Sequence, residues 1–145
     1  MAGIYLIRHA EPVSPYTSSG NDATRPLSAT GRKQAESMGR LLKSSGATEL
    51  RSAPHRRCVE TAELIGKALG LTPVLDETLH IARRFELPRL SGVAIWVAHS
   101  NNIPGALECA GIDCHACDHA SAWHIEQDDN GQVIQARYFE PDLDA

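Results

Sequence analysis

Arg8 and His9 stand at the exit of the apolar run "GIYLI". A strand buried on both faces has no use for two cation-forming side chains at its end unless an anion sits beside them. A second basic pair, Arg56 and Arg57, follows "ELRSAP", and a second histidine, His99, follows "VAIWVA". Arginine offers a fork of donors suited to phosphate oxygens, and a neutral imidazole can attack phosphorus to give a covalent phosphohistidine. His9 is the better nucleophile candidate of the two histidines, because a neighbouring arginine favours its unprotonated form. His99 and the arginines are then expected to hold the equatorial phosphoryl oxygens as charge spreads in the transition state.

Such groups are useful only if the fold brings them to one place. Residues 3–7 and 93–98 are apolar runs without alternation, the pattern of strands buried on both faces. "TELRSA" reads as a third strand and "TPVL" as a strand at a sheet edge. Two helices are legible. The first is capped by Ser28 and carries the stripe Ala35, Met38, Leu41 and Leu42 before Gly46; the second, "HRRCVETAELIGKALG", buries Cys58, Ala62, Ile65, Ala68 and Leu69. "NNIPGALECAG" predicts a third helix with an Asn cap and a proline in its first turn. "SAWHIE" and "QVIQARYF", parted by the turn "QDDNG", predict an antiparallel hairpin. The polar stretch with Pro12, Pro15, Gly20 and Pro26 is the longest predicted loop. The expected fold is α/β: a three-layer sandwich, its central sheet mostly parallel, with helices on both faces and a C-terminal antiparallel hairpin. In open sheets of this kind ligands sit beyond the carboxyl ends of the strands, where Arg8, His9, Arg56, Arg57 and His99 all fall.

With 145 residues, the chain is expected to form one domain over 1–145. Its net charge of −4 argues against nucleic acid or an anionic membrane as partner, so any anion must be held by a local pocket. No apolar run reaches the length of a membrane span and the N-terminus lacks the order of a signal peptide, from which a cytoplasmic location is expected.

Four segments together resemble the histidine phosphatase (phosphoglycerate mutase-like) superfamily. "LIRHAE" is similar to its Arg-His-Gly motif, "LSATGRKQA" to the helix start after it, "SAPHRRCVETA" to its Ser-x-Pro-x-x-Arg-x-x-x-Thr-Ala segment, and "VAHSNN" to its Val-Gly-His strand end. The resemblance implies a phosphorylated nucleophile at His9, phosphoryl binding by Arg8, Arg57 and His99, and no metal or other cofactor. Arg56 then reads as a solvated helix residue, while Ser100 and Asn101 read as helix caps and candidate substrate contacts. The implied substrate is a phosphorylated small molecule or a phosphohistidine protein.

The chain departs from the family pattern in informative places. Ala10 replaces a glycine, and Pro15 stands where the mutases carry a polar residue. A mere 41 residues separate Arg57 from His99, where mutases and broad phosphatases insert a long segment bearing a glutamate acid. In that brevity the chain resembles the small SixA-type phosphohistidine phosphatases. Hydrolysis is expected rather than mutase chemistry, because a mutase must shelter its phosphoenzyme from water. Glu77, His80 and Glu86 are the candidate proton donors, and Glu77, just after the predicted edge strand, is the expected one.

Two rival readings follow from the same residues. The basic pocket could serve a phosphate- or phosphopeptide-binding module without turnover, which a missing proton donor would favour. Alternatively, Cys109, Cys114, Cys117 and His119 in "CAGIDCHACDHA" could hold a metal, although one Cys-x-x-Cys is not a strong zinc pattern. The expectation is that they are free thiols.

Overall fold

A computed structural model describes residues 2–15 and 21–143. Its elements are β1 (Ala2–Arg8), α1 (Ala29–Leu41), β2 (Glu49–Ser52), α2 (Arg56–Leu69), β3 (Val74–Leu75), β4 (Val93–Ala98), α3 (Ile103–Cys109), β5 (Ala122–Gln127) and β6 (Val133–Phe139). Single 3-10 turns at Asp22–Thr24 and Glu77–Leu79 complete the set. The six strands lie in the order β3-β2-β4-β1-β5-β6. The first four are parallel to their neighbours, whereas β5 runs antiparallel to β1 and β6 to β5. The architecture is the expected three-layer sandwich, with the hairpin closing one side of the sheet.

The apolar runs explain the strand positions. Ile4, Leu6, Ile7, Ile95 and Val97 are fully or almost fully buried, so β1 and β4 occupy the sheet centre where both faces are covered. Val74 and Leu75 remain exposed because β3 is a two-residue edge strand. Ser28 accepts a hydrogen bond from the Gly31 N–H and caps α1, as its position predicts, while Gly70 ends α2 in the left-handed region at φ 74°. Leu41 departs from expectation: it is 49% exposed. At 100° per residue it points roughly a quarter turn away from the line through Ala35, Met38 and Leu42 that packs inward.

One contact ties α1 to the segment after His9. Gly31 lies so close to the Glu11 carbonyl that a Cβ there would overlap it, and this carbonyl also accepts hydrogen bonds from the Ser28 N–H and hydroxyl. Gly31→Ala is therefore expected to destabilise the protein by about 2 kcal/mol, the scale of overpacking, as read from the urea unfolding midpoint. Gly20, within the predicted loop, lies outside the described residues.

Candidate active site

The carboxyl end of the parallel sheet collects the chemistry. Arg8 ends β1 and His9 follows it; His99 follows β4; His55 and Arg57 begin α2, just after β2. Because β5 runs the other way, its beginning lies at this same edge, and it brings His119 beside β1 through the pairing of Ile7 with Ala122. The rings of His9 and His99 stand 5.4 Å apart, and those of His9 and His119 5.7 Å apart.

His9 is held in one tautomer. Its Nδ1–H donates to the Ala10 carbonyl at 2.8 Å, and a carbonyl can only accept, so Nε2 keeps its lone pair. The backbone around it is pinned from both sides. The Ala10 N–H donates to the Thr61 hydroxyl at 2.9 Å, which donates to the Arg57 carbonyl at 2.7 Å, tying β1 to α2. On the other side the Ala120 N–H reaches the carbonyls of Arg8 and His9 at 3.0 and 3.2 Å. Ala120 is the one non-glycine residue with positive φ among the described residues, at 59°, a conformation costing about 1 kcal/mol that the surrounding bonds must hold in place. Ala10, by contrast, adopts no positive φ, and its methyl packs with Leu27, Ala35 and Ala120, so the family glycine is not needed there for backbone reasons.

Arg57 is 2% exposed, and its guanidinium is fixed by the 3-10 turn: Nη1 donates to the Asp22 carbonyl at 2.9 Å and Nη2 to Asp22 Oδ2 at 3.1 Å. Burial acts to raise the Asp22 carboxyl, but the hydrogen bond from Arg25 and the charge and hydrogen bond of Arg57 outweigh it and hold it below its ordinary value. Arg8 donates from Nη1 to the Cys117 carbonyl at 3.1 Å, and its buried Nε has no hydrogen-bond partner. His99 is likewise buried with Nδ1 unpartnered, as is Nδ1 of His55, while His99 Nε2 faces Cys58 Sγ at 3.6 Å. Polar nitrogens left without partners in a protein interior cost about 1–3 kcal/mol each, which a bound oxyanion would recover.

Both central histidines are kept neutral. Burial, with the charges of Arg57, Arg8 and His119, lowers His9 from 6.5 to about 3 against the raising effect of its bond to Ala10. Burial and the like charges of His9, His55, Arg57 and His80 lower His99 to about 2. Unfolded, each would take a proton as pH falls below about 6.5; folded, neither does until far lower. The unfolded state therefore binds more protons, and stability is full above pH 6.5 and falls on acidification toward pH 3. Urea midpoints measured from pH 7.5 to 4 should decline, and His9→Ala should flatten the decline.

The remaining predicted residues are placed as follows. Glu77 is exposed on its 3-10 turn and acts on His55 through charge, with no hydrogen bond to it. Glu86 is exposed and lines a groove of about 830 Å³ with Arg84, Phe85 and α3 residues. Ser100 is exposed, and Asn101 donates to the Ile81 carbonyl at 2.7 Å. Neither caps α3. Asn102 holds the cap position but turns its side chain back, accepting from the His99 N–H at 3.0 Å and donating to the carbonyls of Leu79 and His80. A buried His99 N–H needs a partner more than an exposed helix start does. Arg56 pairs with Glu60 at the surface.

All four cysteines are free thiols, and among the described residues no group of three His, Cys, Asp or Glu side chains is arranged to hold a metal ion. Burial pushes the Cys58 thiol up to about 12, so it stays protonated. No helix among the described residues is long and apolar enough to cross a membrane.

The carboxyl edge of this α/β sheet thus holds a neutral, oriented imidazole between Arg8 and the buried Arg57. The family model of the histidine phosphatase superfamily (branch 1) matches residues 4–80, and the chain belongs to that superfamily. An 8-oxo-(d)GTP phosphatase of Mycolicibacterium smegmatis is 27% identical, the match covering 95% of this chain and 48% of the relative. A probable phosphoglycerate mutase of Proteus mirabilis is 33% identical over 54% of this chain and 37% of its own length. This chain thus spans about half or less of the curated relatives it matches. Among solved structures, the protein histidine phosphatase SixA complexed with tungstate superposes with a TM-score of 0.78 at 15% identity, covering 96% of this chain and 97% of its own. A SixA described as a phosphohistidine phosphatase from Agrobacterium tumefaciens gives 0.75 at 17% identity, with 96% and 97% covered. At these identities the superpositions establish the fold.

Proposed function

We propose that this protein is a metal-independent phosphatase, acting on a phosphomonoester or a phosphohistidine through a covalent phosphohistidine on His9. The observation that carries this reading is the state of His9: Nδ1 committed to the Ala10 carbonyl, Nε2 unprotonated, and the ring kept neutral beside the buried Arg57 and the half-buried Arg8. Nε2 attacks phosphorus in line with the leaving group while Arg8, Arg57 and His99 neutralise the equatorial oxygens. Water then attacks the phosphohistidine on phosphorus, releasing inorganic phosphate and the free imidazole. The charges this chemistry needs come from the chain's own side chains. Membership of the superfamily and the fold shared with SixA support the same reading.

The test is hydrolysis of p-nitrophenyl phosphate in excess EDTA, followed by an alkaline quench to look for a phosphoryl label that is stable to base and lost in acid. Steady turnover with that label is expected. Phosphate binding without turnover would favour the binding module, and loss of activity to the chelator would overturn the metal-independent route. Phosphorylated small molecules and phosphohistidine proteins are the substrates to compare next.

A further inference from the structure

Five neighbouring strands each deliver one histidine to the same edge, and the histidines follow the strand order. Across the sheet they run His80 after β3, His55 after β2, His99 after β4, His9 after β1 and His119 before β5. The spacing is close on the β3 side: ring centroids lie 4.6 Å apart for His80 and His55 and 4.6 Å apart for His55 and His99. His55 and His99 are both buried, and each has an unpartnered Nδ1. His80 is half-buried at the outer end of the row, with Nδ1 accepting from the Ala82 N–H at 3.0 Å. The Asn102 side chain locks the two ends together, bonding the His99 N–H and the His80 carbonyl at once.

Resting on the phosphatase reading above, we propose that His55, with His80 behind it, supplies the proton to the leaving group, in place of a carboxylic acid. Among the described residues no carboxylate is hydrogen-bonded to His55, His80 or His99, and Glu77 stands exposed at the rim. The groups facing His55 are Arg57 from α2, His99 from the end of β4, His80 and Glu77 from the second 3-10 turn, and Asp22 from the first. Burial and the charge of Arg57 hold the His55 imidazole below its ordinary value before substrate arrives. A phosphate dianion beside it reverses the balance, since its negative charge favours one proton on the row.

The step balances without any co-reactant. As Nε2 of His9 bonds to phosphorus, the bond to the leaving atom breaks and its electron pair stays on that atom, which takes the proton from His55. His80, reached by solvent, is the route by which that proton enters the row when substrate binds. In the second half-reaction the attacking water gives its proton back to the row as its oxygen bonds to phosphorus and the phosphorus bond to His9 breaks.

The experiment compares kcat/KM for p-nitrophenyl phosphate, whose phenolate leaves without a proton, with that for an alkyl phosphate, whose alkoxide cannot. His55→Gln is expected to lower the alkyl phosphate value about 100-fold more than the p-nitrophenyl phosphate value, the scale of a lost general acid. His80→Gln, at the rim and so less exposed to folding defects, should shift the same ratio by about tenfold. The wild-type pH profile should fall at high pH for the alkyl substrate and lose that limb in His55→Gln. Equal losses on both substrates would mean a structural role and overturn the relay alone, as would the selective loss appearing in Glu77→Gln and not in His55→Gln. A wild type that hydrolyses neither substrate would overturn the phosphatase reading itself.

Discussion

His9→Ala is expected to lower p-nitrophenyl phosphate turnover on the order of 10⁶-fold, to the background rate, because in the proposed mechanism it removes the atom to which phosphorus bonds. Arg8, Arg57 and His99 would remain to bind the anion, so phosphate should still protect the variant against thermal unfolding. That combination separates a missing nucleophile from a collapsed pocket. The fold itself has little to lose, since His9 is a desolvated imidazole whose neutral form is maintained at a cost in acid. The variant should match or exceed the wild type in stability at pH 5. Wild-type turnover in His9→Ala, with the protein folded, would mean that water attacks phosphorus directly and would end the covalent mechanism.

The sequence made legible what depends on neighbours along the chain. Continuous apolar runs marked β1 and β4, three-to-four spacing marked α1 and α2, and the exits of the strands placed Arg8, His9, Arg57 and His99 at one edge. His55 could have been found by the same reasoning, since the turn that brings Arg57 to the edge brings the residue two before it. His119 needed the sheet topology: only once β5 is known to run antiparallel to β1 does the start of β5 fall beside Arg8. Asp22 and Asn102 were hidden for another reason. Their partners, Arg57 and His99, are distant in sequence or demanded by burial, and no periodicity records which buried donor a polar loop residue will satisfy. Glu77 shows the opposite case, a residue well placed in sequence whose side chain points its charge from the rim.

Arg57→Ala is expected to reduce kcat/KM by about 10³-fold, most of it in kcat, because a guanidinium that meets charge developing on equatorial oxygens is worth more in the transition state than in the ground state. The environment makes this arginine hard to replace. Two of its donors already hold the Asp22 carbonyl and carboxylate, which fixes the plane of the fork and, in the proposed mechanism, leaves its remaining N–H groups for phosphate. Arg57→Lys keeps the charge but has neither the plane nor the number of donors to do both, so it should recover no more than about tenfold. With Asp22 deprived of its partner, the turn at Asp22–Thr24 also loses its link to α2, and the Asp22 carboxyl should move back up toward its ordinary value. Asp22→Asn tests the same link from the other side: the carbonyl contact survives, the ion pair does not, and a loss smaller than that of Arg57→Ala is expected. If Arg57→Ala instead raised KM and left kcat intact, the arginine would be a ground-state anchor, and the stabilisation of the transition state would rest on Arg8 and His99.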